Sequence, residues 1–199
     1  MWLLLVAGLI AAVIFMERLF HLHRAQIKPD DFLKGIYNIL RRRNIAEAVA
    51  ICEETPGPVA HIVRVAVLHH DEPKEDIQTA IEEAGLAEIP RLEANLNLLA
   101  TIAKVAPLIG LLGTVLGMMR VFLAIQQKTP LVQFGDLTGG MWEALLTTAV
   151  GLAIAIPAYA GYNFLIGRVE AIMLDMERTS IEILSFLTGK DKQERRERS

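Results

Sequence analysis

Four polar side chains stand in long stretches of the sequence that otherwise carry almost no charge. Thr114 lies in the middle of one apolar stretch, and Thr147 and Thr148 lie in another, one helical turn after Glu143. Small residues recur every three or four positions along the second stretch. A helix face made of hydroxyl and small side chains allows close contact with another helix or lines a narrow polar cavity. These four residues are therefore the candidates for a polar pathway.

Each of these side chains also has a simpler interpretation. A threonine hydroxyl in an apolar helix can bond a carbonyl of its own preceding turn and have no further role. Glu143 can lie at the level of the lipid headgroups, fully hydrated. If its helix begins near Leu137, Glu143 lies deeper and must face protein or water, because a carboxylate that faces lipid costs several kcal/mol.

Glycines and prolines interrupt the same two stretches. Gly113 and Gly117 form a Gly-x-x-x-Gly spacing, which allows two membrane helices to approach closely. A phosphate-binding loop is not favoured, because no Lys-Ser/Thr pair follows these glycines. Prolines are tolerated in membrane helices where neighbouring helices satisfy the freed carbonyl. The residues predicted to serve helix packing are Gly110, Gly113, Gly117, Gly151, Pro107 and Pro157.

The charge distribution indicates an integral membrane protein. The sequence has 199 residues, is 53% hydrophobic and has a mean hydropathy of +0.38. Of its 20 Lys and Arg and 23 Asp and Glu residues, all but seven fall in residues 21–96 or 168–199. Charge is thus excluded from three long stretches, as a bilayer requires and a soluble core does not. The sequence predicts an all-α fold with three transmembrane helices.

The arrangement of these helices follows from their lengths and flanking charges. Lys and Arg cluster after the first and third apolar stretches and are sparse between the second and third. The positive-inside rule therefore places the long loop and the C-terminus in the cytoplasm and the N-terminus outside. The predicted segments are transmembrane helix 1 over residues 1–20, a cytoplasmic helical loop over 21–96, transmembrane helix 2 over 97–125, a periplasmic connection over 126–136, transmembrane helix 3 over 137–166, and a cytoplasmic C-terminal helix and tail over 167–199.

The first apolar stretch could instead be a cleaved signal peptide. It has no basic start and no Ala-x-Ala site before its first charges, so an uncleaved span is expected. In the loop, Asn44 and Asp71 are predicted caps near helix starts. After the third stretch, apolar residues recur at helical spacing from Val169 to Leu187. This spacing predicts that transmembrane helix 3 continues into the C-terminal segment.

Composition and motifs exclude several other classes of function. The single cysteine, Cys52, cannot form an internal disulfide, and the net charge of −3 gives no basic footprint for nucleic acid. Neither a Gly-x-Ser-x-Gly, a Walker A nor a His-Glu-x-x-His sequence occurs, so no enzyme activity and no cofactor are predicted. The five histidines have no metal-ligand spacing, and no metal site is predicted.

Specific motifs run through nearly the whole chain. They comprise residues 99–118 around Pro107, residues 140–158 around Glu143, the pair Tyr162-Asn163, and Glu17-Arg18 at the end of the first stretch. In these motifs the sequence resembles the MotA/TolQ/ExbB proton channel family, and it is most similar to the three-span ExbB/TolQ branch. It departs from many ExbB members because it lacks their periplasmic extension at the N-terminus, which leaves the choice between ExbB and TolQ open.

The resemblance implies a bacterial inner-membrane homopentamer around a dimer of single-span ExbD/TolR-like subunits. Proton flow would then drive a TonB- or TolA-like energy transducer, in TonB-dependent import or in Tol–Pal function. By position, Thr114 and Thr148 would line the pore and face an aspartate of the partner, and Glu143 would lie at its periplasmic side. The hypothesis is a proton-channel motor subunit. A passive oligomeric membrane scaffold and a self-sufficient ion channel are the alternatives.

Overall fold

A computed structural model describes residues 2–25, 29–128 and 134–197, which form seven helices joined by turns. The helices are α1 (Trp2–Ala25), α2 (Pro29–Arg41), α3 (Ile45–Glu54), α4 (Pro58–Leu68), α5 (Lys74–Glu93), α6 (Leu96–Lys128) and α7 (Phe134–Glu197). Helical segments within Trp2–Leu22, Lys74–Gln127 and Thr138–Gly189 are long and apolar enough to cross a membrane. The predicted all-α fold with three membrane-spanning helices is therefore confirmed.

The longest helix, α7, includes both the third apolar stretch and the C-terminal segment. α7 is continuous from Phe134 to Glu197 and so contains both the third apolar stretch and the charged C-terminal segment. α6 extends to Lys128. The middle of the predicted connection, residues 129–133, lies outside the described residues.

The chain divides into two compact units. Unit 1 consists of Met1–Arg18 and Asn95–Leu165, and thus of most of α1, all of α6 and the first part of α7. Unit 2 consists of Leu19–Ala94 and Ile166–Ser199. The three apolar stretches fall in unit 1, and most of the charged residues fall in unit 2.

In unit 1, α1 and α7 run parallel. A Cβ atom built on Gly8 would lie 3.2 Å from Cδ1 of Ile154, and one built on Gly161 would lie 2.8 Å from Cδ2 of Phe15. Residue numbers therefore rise together along the two helices. α6 runs in the opposite direction, and its Ala106 joins Leu4 of α1 and Ala155 of α7 in a buried cluster. This alternation is the one that three consecutive membrane spans require.

In unit 2, short amphipathic helices pack against one another and against the end of α7. The apolar face of α2, which includes Ile36, is buried, and α4 is buried along most of its length. The ring of Tyr37 stacks on that of Phe186 with centroids 4.3 Å apart, and Arg178 lies 3.3 Å from the carboxylate of Asp30. These contacts join α2 to the last part of α7.

One of the two predicted caps in unit 2 is confirmed. The backbone N–H of Glu47 donates to Oδ1 of Asn44 at 3.3 Å, so Asn44 caps α3. The prediction for Asp71 is wrong, because α5 begins only at Lys74, after Pro73 in the N-cap position. Because the φ of proline is fixed near the helical value, Pro73 can directly precede the first helical residue. The Asp71 carboxylate instead lies 3.1 Å from Nε2 of His70.

Candidate functional site

The contact between α6 and α7 is close enough to require glycine at several positions. A Cβ atom built on Gly113 would lie 2.7 Å from Cβ of Thr147, and one built on Gly117 would lie 2.6 Å from Cβ of Ala144. Real Cβ atoms do not approach other heavy atoms so closely, so a larger residue would force the helices apart. The glycine spacing in α6 therefore meets the small-residue face of α7.

The other predicted packing glycines lie on the same contact. A Cβ atom on Gly110 would lie 3.1 Å from Cα of Thr148, and one on Gly151 would lie 2.8 Å from the carbonyl oxygen of Ala106. Residue numbers fall along α7 as they rise along α6, so these two helices are antiparallel. This register places Thr147 beside Gly113, the neighbour of Thr114, whereas Thr148 lies beside Gly110, about one helical turn from Thr114.

Sequence reasoning missed one glycine of this contact. A Cβ atom on Gly140 would lie 2.6 Å from Cγ2 of Val121. Gly140 precedes Ala144 by four residues and so extends the small-residue spacing of α7 by one turn. That extension was the available signal.

The two prolines predicted to serve packing have different surroundings. Pro107 is half-buried in α6, whereas Pro157 is exposed on α7. Each removes one N–H from its helix, so the carbonyls of Ala103 and Ala153 lose their regular helical donors. Both helices nevertheless continue through their prolines.

The three candidate threonines make different hydrogen bonds. The Thr148 hydroxyl donates across the helix contact to the backbone carbonyl of Gly110, with 2.9 Å between the oxygens. The Thr147 hydroxyl donates to the carbonyl of Ala144 at 2.8 Å, within its own helix. The Thr114 hydroxyl likewise donates to the carbonyl of Leu111 at 2.5 Å. Since a hydroxyl donates only one proton, each oxygen keeps acceptor capacity for a further partner.

Packing also distinguishes Thr147 from its neighbour. Gly113 leaves room for the hydroxyl, Cβ and methyl of Thr147, so this side chain fills the contact between the two helices. The simple interpretation of an intrahelical bond with a packing role fits Thr147 best. Thr148 differs because its hydroxyl joins the two helices.

Glu143 forms an ion pair with a residue that sequence reasoning did not select. Nη1 of Arg120 donates to both carboxylate oxygens of Glu143 at 2.8 Å. Arg120 lies on α6 and Glu143 on α7, and both side chains are more than half exposed. Charge-assisted hydrogen bonds of this kind partly compensate a carboxylate for the loss of water near a membrane. The pair depends on the register of two antiparallel helices, which places Arg120 beyond Gly117 and Glu143 beyond Ala144, and the sequence alone carries no signal for it.

The site offers three hydroxyl groups and one ion pair. Among the described residues, no group of three or more His, Cys, Asp or Glu side chains is placed to hold a metal ion. The hydroxyls of Thr114 and Thr148 can solvate a polar or charged group in an apolar environment. The Arg120–Glu143 pair lies beyond them, toward the ends of α6 and α7 that the connection joins.

The site lies within the part of the chain that matches a known protein family. A family model described as the MotA/TolQ/ExbB proton channel family matches residues 54–178. The matched range contains every residue of the α6–α7 contact described above.

Individual relatives extend the similarity over more of the chain. The sequence is 30% identical over 150 residues to the biopolymer transport protein ExbB-like 3 of Synechocystis, which covers 75% of this chain and 71% of that protein. It is 27% identical over 191 residues to exbB1 of Vibrio cholerae, with 94% and 84% covered. It is 41% identical over 116 residues to the Tol-Pal system protein TolQ of Haemophilus influenzae, where 56% of this chain and 50% of TolQ are covered.

Proposed function

The chain belongs to the MotA/TolQ/ExbB proton channel family, and on this basis we propose that it couples proton flow across a membrane to work on the cell envelope. The observation that supports the proposal is the α6–α7 contact, in which the Thr148 hydroxyl of α7 bonds Gly110 of α6, about one helical turn from Thr114. In this proposal the two threonines line the proton pathway. Thr147 supports it by filling the contact with Gly113.

The proton carrier is proposed to come from another subunit. Within residues 1–16, 97–125 and 138–166 the sequence has a single carboxylate, Glu143, and in the structure Arg120 pairs with it. A second carboxylate is therefore needed at the height of the threonines. We assign it to a single-span ExbD/TolR-like partner, present as a dimer inside a homopentamer of this chain, with a TonB- or TolA-like transducer receiving the work.

In this proposal, the side chains of this chain need only solvate the carboxylic acid of the partner. A partner carboxylic acid moving past Thr114 and Thr148 would donate to and accept from their hydroxyls, which lowers the barrier to crossing an apolar contact. The driving force is the proton motive force, of which the potential contributes about 2.3 kcal/mol per elementary charge per 100 mV. The proposed setting is a bacterial inner membrane with the N-terminus periplasmic and the C-terminus cytoplasmic.

In this arrangement the Arg120–Glu143 pair lies at the periplasmic side of the pathway. A fixed ion pair presents no large net charge to a proton that approaches, yet it keeps the helix ends hydrated. We propose that Glu143 keeps the periplasmic end of the pathway hydrated and that Arg120 fixes the orientation of its carboxylate.

Reconstitution with and without the partner tests the proposal. The chain would be incorporated into liposomes alone, with the single-span partner, and with a partner whose intramembrane aspartate is replaced by asparagine. Proton uptake under an imposed potential would be followed with an enclosed pH dye. Uptake is expected only with the unmodified partner. Uptake by the chain alone would indicate a self-sufficient channel, and no uptake in any sample would contradict proton conduction.

A passive membrane scaffold is the second candidate. It is favoured by the hydrogen bonds of Thr114 and Thr147, whose hydroxyls each donate to a carbonyl of their own helix. In a scaffold, the glycines are essential and the hydroxyls are dispensable. The two candidates therefore differ in the effect of removing hydroxyls at constant volume.

A further inference from the structure

Unit 2 contains a long groove with apolar walls. The groove has a volume of about 1290 Å³ and lies between α5 and the last part of α7, with Ile62 of α4 at its base. Leu86, Leu174 and Ile181 line it and are 64–66% exposed. In unit 2, the other large apolar side chains that the structure describes as exposed are Phe20 and Leu68. Exposed apolar surface in this unit is therefore concentrated in the groove, which is typical of an interaction site.

The rim of the groove is acidic. Glu82, Glu170 and Glu177 are among its lining residues and are exposed, whereas Lys74 is the one basic residue among the lining residues whose side chains the structure describes. Like charges repel across an interface, so this rim disfavours anionic lipid headgroups and acidic peptides. The charge pattern instead favours an occupant that carries Lys or Arg.

The length of the groove matches several turns of helix. At 1.5 Å per residue, the α5 wall from Lys74 to Ile89 is about 22 Å long, and the α7 wall from Glu170 to Gly189 is about 28 Å long. A drug-sized ligand fills a pocket of at most about 1,000 Å³. A helix with an apolar stripe is the secondary structure that such elongated apolar grooves accept.

We propose that this groove binds a basic amphipathic helix of another protein. The apolar stripe of that helix lies against Leu86, Leu174 and Ile181, and its Lys or Arg side chains face the three rim glutamates. This inference does not depend on proton conduction by α6 and α7.

A second copy of the chain is a poorer occupant than a separate protein. The densest basic run of unit 2, Arg41-Arg42-Arg43, lies at the end of α2. The apolar residues of α2 that would have to enter a groove, Leu33, Ile36 and Leu40, are buried within their own unit. A copy therefore cannot present this basic run together with an apolar stripe while it remains folded.

A synthetic peptide of about 18 residues serves as the probe, with leucine at positions i, i+3, i+4 and i+7 and lysine elsewhere. The full chain is placed in phosphatidylcholine nanodiscs, and binding of the fluorescent peptide is followed by anisotropy against empty discs. Leu174→Gln and the double variant Glu82→Lys/Glu177→Lys are each expected to weaken binding roughly tenfold or more. Matched controls outside the groove, Leu68→Gln and Glu54→Lys, are expected to bind like the unmodified chain.

Four results would overturn the proposal. The first is binding no tighter than to empty discs, and the second is equal binding by groove variants and controls. The third is a loss of oligomeric mass in native mass spectrometry when Leu174 and Ile181 are both replaced by glutamine, since a second copy would then occupy the groove. A scrambled peptide of the same composition is expected to bind weakly, and equal binding by it would contradict recognition of an amphipathic helix.

Discussion

The Thr148 hydroxyl donates a hydrogen bond to the backbone carbonyl of Gly110, so α7 is tied to α6 at a point where a Cβ atom on Gly110 would lie 3.1 Å from Cα of Thr148. The preceding residue, Thr147, directs its hydroxyl back to Ala144 of its own helix. Two adjacent threonines therefore have different partners. Thr147 and Thr148 must therefore be replaced separately, because a joint substitution would not distinguish a pathway residue from a packing residue.

Thr148→Val is expected to destabilise the α6–α7 contact by about 0.6–1 kcal/mol, because a hydrogen bond between membrane helices is lost. Thr147→Val keeps the volume that fills the space beside Gly113 and is expected to change stability less. Reversible unfolding in mixed micelles, followed by circular dichroism, would compare the two variants. A larger effect at Thr147 would contradict the assigned hydrogen bonds.

Alanine substitutions at glycines should have opposite effects at two positions. At Gly117 a Cβ would lie 2.6 Å from Cβ of Ala144, whereas at Gly167 a Cβ meets nothing within 4 Å. Gly167→Ala is expected to stabilise its helix by up to about 1 kcal/mol through helix propensity. Gly117→Ala is expected to destabilise the protein, because overpacking exceeds that gain.

Thermal unfolding of the two alanine variants in the same detergent provides the comparison. Opposite shifts of the midpoint are expected. If both midpoints rise, the close approach of α6 and α7 at Gly117 is contradicted.

Exchanging the charges of the ion pair tests whether Arg120 orients Glu143. Arg120→Glu and Glu143→Arg are each expected to reduce proton uptake with the partner at least about tenfold, because like or unpaired charges then meet at the periplasmic end of the pathway. The double variant restores an ion pair of opposite direction and is expected to recover part of the uptake. Additive losses in the double variant would show that the two residues act independently.

Cys52 provides a test of the fold of unit 2 that is independent of transport. Burial raises the pKa of its thiol to about 11, and Arg64 acts more weakly in the opposite direction. Because the thiolate reacts, alkylation by iodoacetamide at pH 8 is expected to be roughly a hundred-fold slower than for a cysteine of ordinary pKa. Unfolding in detergent with urea should restore the ordinary rate.

The same pKa shift affects stability at high pH. The folded state retains the thiol proton above the unfolded pKa of about 9, so its stabilising contribution is complete below pH 9 and is lost as the pH rises toward 11. Cys52→Ala should remove this component of the pH dependence. A rate profile with an apparent pKa near 9 in the folded protein would contradict the burial of Cys52.

The sequence was sufficient to predict what depends on composition and local spacing. Charge-free stretches predicted three membrane-spanning helices, and the cap at Asn44 follows from its own side chain and a backbone N–H three residues away. The cap at Asp71 was wrong because Pro73 determines where α5 begins. Local rules fail where two of them compete for the same few residues.

Contacts between residues far apart in the sequence could not be predicted from composition and local spacing. The Arg120–Glu143 pair spans 23 positions and depends on the register of two antiparallel helices, which the spacing within either helix does not determine. The acceptor of Thr148 was missed for the same reason, since each threonine always has a carbonyl of its own helix within reach. The groove of unit 2 likewise arises only when α4, α5 and the end of α7 pack together.

The most direct test of the central claim is proton uptake by liposomes that contain the partner and a chain with Thr114→Val/Thr148→Val. These substitutions remove the two hydroxyls at nearly constant volume, and the Thr147→Val chain is the matched control. We expect the double variant to assemble with the partner yet lose at least about nine-tenths of the uptake, a change of roughly 1.4 kcal/mol in the barrier, while the control retains it. Full uptake by the assembled double variant would contradict a pathway lined by Thr114 and Thr148.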